Sequence, residues 1–270
     1  MPLVREFLEP RLRPAAPARH ERQQLKRMDI DDPDWLRLLA SGLTVQLDSV
    51  KEEFASILES RTVLGYHGCR PQDLTTYLTG GIKAFGSSDL MQLLSDAVEQ
   101  LNNPELGDEF LARGQRRLHD HTDSIVYLVL DRRHLLRSSG HYLIYGSEWL
   151  CSVFAESRAL LREFGFPTLF EVAFPLSSAS ASDKRELVRH LLHEWTRLSI
   201  MNLQQSRVVD FSFAVRERIP AEMIVGHTHP SSINDPLEGG RQYVNDYVTC
   251  RQCVRRVVRP AKANRAAEFR

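Results

Sequence analysis

The chain has 270 residues, 42% hydrophobic and 26% charged, a globular composition that excludes a wholly disordered protein. Lys+Arg and Asp+Glu both number 35, so no global positive field marks a nucleic-acid binder. No run approaches the about 20 apolar residues of a membrane helix, Met1-Pro2-Leu3-Val4-Arg5 opens no signal-peptide core, and the four sparse cysteines suit a reducing compartment; the expectation is a cytoplasmic protein with no membrane partner.

The Arg-, Pro- and Ala-rich stretch through about residue 27 reads as an arm that contributes little core. Asp31, Asp32, Pro33 and Asp34 signal a helix start, and apolar residues from Trp35 to Leu58 recur near helical period with Gly42 as a break, so residues 1–58 form an arm and helical extension. Residues 63–66 read as a strand running into His67-Gly68, after which Pro71 opens a helix over 73–78 that Gly80-Gly81 ends. Ser87 or Ser88 caps a helix bearing Leu90, Leu94 and Val98 on one face, and Pro104 separates it from another over 105–118. Residues 125–130 and 142–145 read as strands, and Gly146-Ser147 leads into a helix over 148–164. A strand over 168–174, a helix over 183–200, a strand over 208–215 and Ile224-Val225 complete the pattern.

A histidine beside a strand end is most often structural. What raises His67 is Gly68, which lets a ligand approach the backbone and whose N–H and C=O match a flat carboxamide such as that of nicotinamide.

Tyr66-His67-Gly68-Cys69-Arg70-Pro71 resembles the first motif of the His-Tyr-Glu branch of the ADP-ribosyltransferases, the group that includes diphtheria toxin and the poly(ADP-ribose) polymerases. Leu143-Ile144-Tyr145-Gly146-Ser147-Glu148 is similar to the second motif, and Leu169-Phe170-Glu171-Val172-Ala173-Phe174 to the strand that follows it. The resemblance implies an α+β fold, with a split, mostly antiparallel sheet around an NAD⁺ cleft and additional helices, over residues 59–250. It implies NAD⁺ as co-substrate and transfer of one ADP-ribose to a protein or nucleic-acid acceptor with loss of nicotinamide. A toxin or anti-phage defence effector would fit, with an antitoxin or regulator as a further partner.

The resemblance also implies site residues. His67 would hydrogen-bond a ribose hydroxyl, the Gly68 backbone would hold the carboxamide, and Tyr145 would stack on the nicotinamide ring. The cofactor contacts carried over are His67, Gly68, Arg70, Tyr142, Tyr145, Ser147 and Phe154. Cleaving the nicotinamide–ribose bond builds oxocarbenium character, which a carboxylate must offset. The family places Glu at the start of a late strand; this chain has Asp210 there, with Glu217 as the alternative acid. Two other readings stand beside it: an NAD⁺-dependent RNA 2′-phosphotransferase-like enzyme, and a catalytically inactive module that binds NAD⁺ or nucleic acid.

His227-x-His229 and Cys250-x2-Cys253 are zinc-ligand residue types, but one Cys pair about twenty residues from the histidines is an incomplete zinc signal. The preferred reading is no metal, with His227 to Pro230 closing the domain beside the cofactor site and 233–236 as an ordered turn. Residues 251–270 hold seven Lys/Arg against Glu268 and form a basic tail. That tail, with Arg113, Arg116, Arg117, Arg132, Arg133 and Arg137, offers contact to RNA, DNA or a pyrophosphate.

Overall fold

The computed structural model describes residues 1–13, 32–118, 125–203, 208–247, 250 and 252–253. The fold is α+β, divided into two compact units. Met1–Val63 with Pro175–Phe211 form a helical unit, and Leu64–Phe174 with Ser212–Asn264 form the unit that holds the sheet. The boundary expected at residue 58 therefore leaves out Pro175–Phe211, the stretch that supplies the longest helix of the unit. The basic tail lies outside the described residues apart from Gln252 and Cys253.

The helical unit is built on α1 (Pro2–Leu8), α2 (Asp34–Gly42) and α3 (Leu47–Glu59). The expected uncommitted arm is corrected over its first residues: Val4 and Leu8 are fully buried in α1, and Phe7 stacks on Phe54 of α3 at 4.8 Å. Val4, Phe7 and Leu8 stand at helical spacing, a signal that the Arg and Pro around them dilute in any composition average. Gly42 does end α2. Against these helices packs the long helix over Ala181–Met201, whose start is fixed by Ser180 Oγ accepting from the Asp183 N–H at 3.0 Å. On that helix Arg197 makes two hydrogen bonds to Glu194, of 2.8 and 2.9 Å, and pairing of this kind is what lets both charges stay buried.

The sheet unit carries five strands in the order β4-β2-β1-β3-β5: β1 (Thr62–Cys69), β2 (Val126–Val129), β3 (Thr168–Pro175), β4 (Ser212–Val215) and β5 (Ile224–Thr228). The pairs β1–β2, β2–β4 and β3–β5 are antiparallel, with Tyr66 opposite Val129 and Phe170 opposite His227. These strands form one continuous sheet rather than a parted one. A separate ribbon pairs β6 (Ser232–Asp235) with β7 (Arg241–Val244), so the segment expected as an ordered turn at 233–236 is largely a strand.

After β1 come α4 (Leu74–Gly80), α5 (Ser87–Leu101), α6 (Pro104–Leu118), α7 (Arg132–Arg137), α8 (His141–Ile144) and α9 (Glu148–Phe154); α10 is the long helix over Ala181–Met201. Asp73 caps α4, and Gly81 ends it at φ +80, where an added Cβ would lie 2.1 Å from the Ile219 carbonyl oxygen. The cap of α5 is Gly86, not a serine: Asp89 reaches back to the Gly86 N–H at 3.1 Å.

Three expected elements change. Residues 142–145 are not a strand but belong to α8 and its cap, since four consecutive apolar residues carry no periodicity that separates strand from buried helix. The helix expected over 148–164 stops at Phe154, turns at Ala155 with φ +45 and continues as a 3₁₀ helix over Ala155–Glu163. The late strand begins at Ser212, which leaves Asp210 in the coil ahead of it. Among the described residues no helix is long and apolar enough to cross a membrane.

The burial of Phe7 predicts that Phe7→Ala lowers the stability of the helical unit by about 3–5 kcal/mol in urea denaturation. A solvated tail would give a change within about 0.5 kcal/mol.

Candidate functional site

β1 presents His67 next to Gly68. The His67 Nδ1–H donates to the Tyr127 carbonyl of β2 at 3.2 Å, which fixes the ring and leaves Nε2 as its acceptor edge in the neutral imidazole. Burial lowers the His67 pKa, and the hydrogen bond to Tyr127 opposes this only in part, so the imidazole is neutral near pH 7. Gly68 is covered by α7 and α8. A Cβ there would meet Leu135 at 3.2 Å and Leu143 at 3.3 Å, so the glycine admits close packing of these helices over the strand. Cys69 is hydrogen-bonded to Tyr77, burial pushes both groups up, and the Tyr77 ring stacks on Phe170 at 5.1 Å.

Tyr145 takes a different part from the one expected. It is 2% exposed, at the end of α8, and its hydroxyl donates to Asp235 Oδ2 of β6. Arg162 Nη2 donates to the same hydroxyl at 2.6 Å and to Asp235 Oδ2 at 3.0 Å, and its guanidinium lies 5.1 Å from the Tyr145 ring centre. The Asp235 carboxylate also accepts from the Leu237 N–H at 3.0 Å, through Oδ1. A ring closed in this way has no face for a nicotinamide, and burial together with the bond to Asp235 raises the Tyr145 pKa. Nothing in the local sequence around Tyr145 points to Asp235, 90 positions away, or to Arg162.

The remaining predicted contacts divide. Arg70 donates through Nε to the Phe164 carbonyl at 2.8 Å and through Nη2 to the Arg162 carbonyl, so it anchors the 3₁₀ segment rather than standing ready for a phosphate. Ser147 caps α9 through Oγ, accepting from the Leu150 N–H at 3.1 Å. Phe154 is fully buried and stacks on Phe110 at 4.3 Å. Tyr142 is half-buried on α8, next to the Leu143 that covers Gly68, and burial and a hydrogen bond to Glu148 raise its pKa. Asp210 is exposed in the coil ahead of β4, and Glu217 is exposed in the segment after it. In the arginine cluster, Arg113 is bonded to Glu109 and to the Val153 carbonyl, and Arg133 to Asp131. His67, Gly68 and the α8 segment are thus brought together, while Tyr145, Arg70, Ser147 and Phe154 serve the fold.

The strongest convergence is one that the sequence left in second place. One nitrogen each of His227 and His229 and the two sulfurs of Cys250 and Cys253 all lie within 4.8 Å of one another. Extended chain puts positions i and i+2 on one side, which brings the two imidazoles together at the end of β5; the Cys-x2-Cys turn supplies the sulfurs. The signal present in the sequence was the pairing of the two spacings; the approach of the segments is tertiary.

Compared with protein-family models, curated proteins and solved structures, the chain finds no match in any of the three.

Removing the Tyr145 hydroxyl should expose its structural part. Tyr145→Phe leaves Asp235 short of one donor and is expected to cost about 1–3 kcal/mol in chemical denaturation, against almost nothing for a phenol that merely points into a cleft. The lowered pKa of His67 sets a second expectation. Its contribution to stability is complete above the ordinary value of 6.5 and is lost as pH falls from there toward the folded pKa. Stability measured against pH should therefore decline below 6.5, and His67→Gln should remove part of that decline.

Proposed function

We propose that the chain transfers ADP-ribose from NAD⁺ to a macromolecular acceptor and releases nicotinamide. One observation carries this reading: Tyr66-His67-Gly68 lies on β1, inside the sheet, with the imidazole held neutral and its Nδ1–H committed to the Tyr127 carbonyl. An oriented neutral imidazole can accept a hydrogen bond from a ribose hydroxyl, the part the ADP-ribosyltransferase resemblance assigns to this histidine. With the Tyr145 ring closed, stacking on nicotinamide falls to Tyr142 beside the cover of Gly68.

In the reaction the bond between ribose C1′ and the nicotinamide nitrogen breaks, and nicotinamide leaves with the bonding pair. The acceptor nucleophile forms the new bond to C1′ and gives up its proton. Positive charge grows on the ribose as the bond breaks, so a carboxylate from Asp210 or Glu217 would stabilise the transition state more than the bound substrate. The acceptor is a protein or a nucleic acid, a choice that surface loops make. The closure of Tyr145 favours one second reading, a module that binds NAD⁺ without cleaving it.

Incubation with labelled NAD⁺ and separated cellular protein, RNA and DNA tests both. Nicotinamide release with label on one fraction is expected, and His67→Ala should lower it by about 10²–10³, the effect of losing one oriented hydrogen bond in the transition state. Asp210→Ala and Glu217→Ala identify the acid by which of them abolishes transfer. NAD⁺ binding without release would establish the second reading, and no binding in any condition would sink both.

A further inference from the structure

We propose that His227, His229, Cys250 and Cys253 bind one zinc ion as a closed structural site, independently of the reading of His67. His227 Nε2 lies 3.2 Å from Cys250 Sγ and 3.0 Å from Cys253 Sγ, and the two sulfurs are 3.2 Å apart. That separation is far beyond the about 2.05 Å of a disulfide. A tetrahedral zinc with bonds of about 2.3 Å to sulfur and about 2.0 Å to nitrogen holds its ligand atoms roughly 3.3–3.8 Å apart, inside the span that the four atoms occupy here.

His229 supplies the independent sign of a ligand. Its Nδ1–H donates to the Pro167 carbonyl at 2.9 Å, and since a carbonyl can only accept, the neutral ring carries its lone pair on Nε2. That Nε2 is buried and has no hydrogen-bond partner, in a residue 4% exposed. A buried acceptor left this way is costly unless something other than the protein chain satisfies it, and a backbone carbonyl that accepts from the opposite nitrogen and so orients the ring is the usual arrangement of a metal-bound imidazole. On the other side, the Cys253 N–H donates to Cys250 Sγ at 3.3 Å, which favours that sulfur as a thiolate.

Two thiolates and two neutral imidazoles balance the charge of a divalent ion, with two protons released to solvent on binding, and a neutral complex suits a largely buried position. The mixed sulfur and nitrogen set selects zinc over magnesium or calcium, which take oxygen ligands. Four protein ligands leave no open position for water or substrate, so the ion is structural. Its effect is to fasten the turn at Cys250–Cys253 to the end of β5, one of the two edge strands of the sheet. Gln252 beside it donates to Thr75 of α4 at 3.4 Å, and Asn245 donates to the Pro230 carbonyl at 2.9 Å, so the same closing segment also touches the helix that follows the His67 strand.

The test is metal analysis of the full chain purified under reducing conditions without chelator. One zinc per chain is expected, with the visible bands of a tetrahedral thiolate complex after replacement by cobalt(II). Cys250→Ser and His229→Ala should lose the ion, while Cys151→Ser, which alters a thiol outside the cluster, should keep it. Should the ligand variants fail to fold, wild-type protein answers alone: a chelator should lower its Tm, and added zinc should restore it. Absence of stoichiometric metal after incubation with zinc and reductant, retention of zinc in the Cys250→Ser/Cys253→Ser double variant, or a native Cys250–Cys253 disulfide would each overturn the proposal.

Discussion

A carboxylate that is 1% exposed stays in a protein interior only when its charge is answered from several sides, because taking an ion out of water costs several kcal/mol. Asp235 is such a group, and the Tyr145 hydroxyl, Arg162 and the Leu237 N–H answer it. These partners come from the end of α8, from the 3₁₀ segment and from the turn after β6, so one buried charge ties three segments into register. At Gly140, just before α8, an added Cβ would lie 2.0 Å from the Asn234 carbonyl oxygen, which brings β6 still closer to the same helix. With α8 held there, Leu143 covers Gly68 and the surroundings of His67 follow.

The sheet unit therefore has two polar centres of different character. On β1 an imidazole is oriented by a neighbouring strand through its hydrogen bond to the Tyr127 carbonyl. At the end of β5, with β3 between β1 and β5 in the sheet, two imidazoles and two thiols converge within 4.8 Å. α4 links the two centres, since it begins soon after Gly68 and receives the hydrogen bond from Gln252. Loss of order at the closing segment would reach the His67 side of the unit through that helix.

Much of the secondary structure could be read from local patterns because local physics sets it. The strand at His67, the stop at Gly81, the pair of helices over 87–118 and the long helix after Ser180 all follow from periodicity, caps and glycine conformations. The failures share a cause. Residues 142–145 lacked a period, Val4, Phe7 and Leu8 were masked by the composition around them, and the second motif of the resemblance rested on a tyrosine whose hydroxyl is bonded to a residue 90 positions away. Residue type at a motif position does not tell whether a ring faces a cleft or a carboxylate.

By itself the sequence determined the order of most elements and the candidate status of His67-Gly68, since propensity, periodicity and capping act over a few residues, while the α+β class was implied by the resemblance of its motifs. It also contained the His227-x-His229 and Cys250-x2-Cys253 pairs, which it left as an incomplete signal. Only the tertiary structure decided that the two pairs meet, that Tyr145 closes on Asp235 and Arg162, and that the long helix joins the N-terminal helices in one unit. Such pairings join positions tens of residues apart, and whether they form is settled by how buried charges and apolar faces are satisfied across the whole chain.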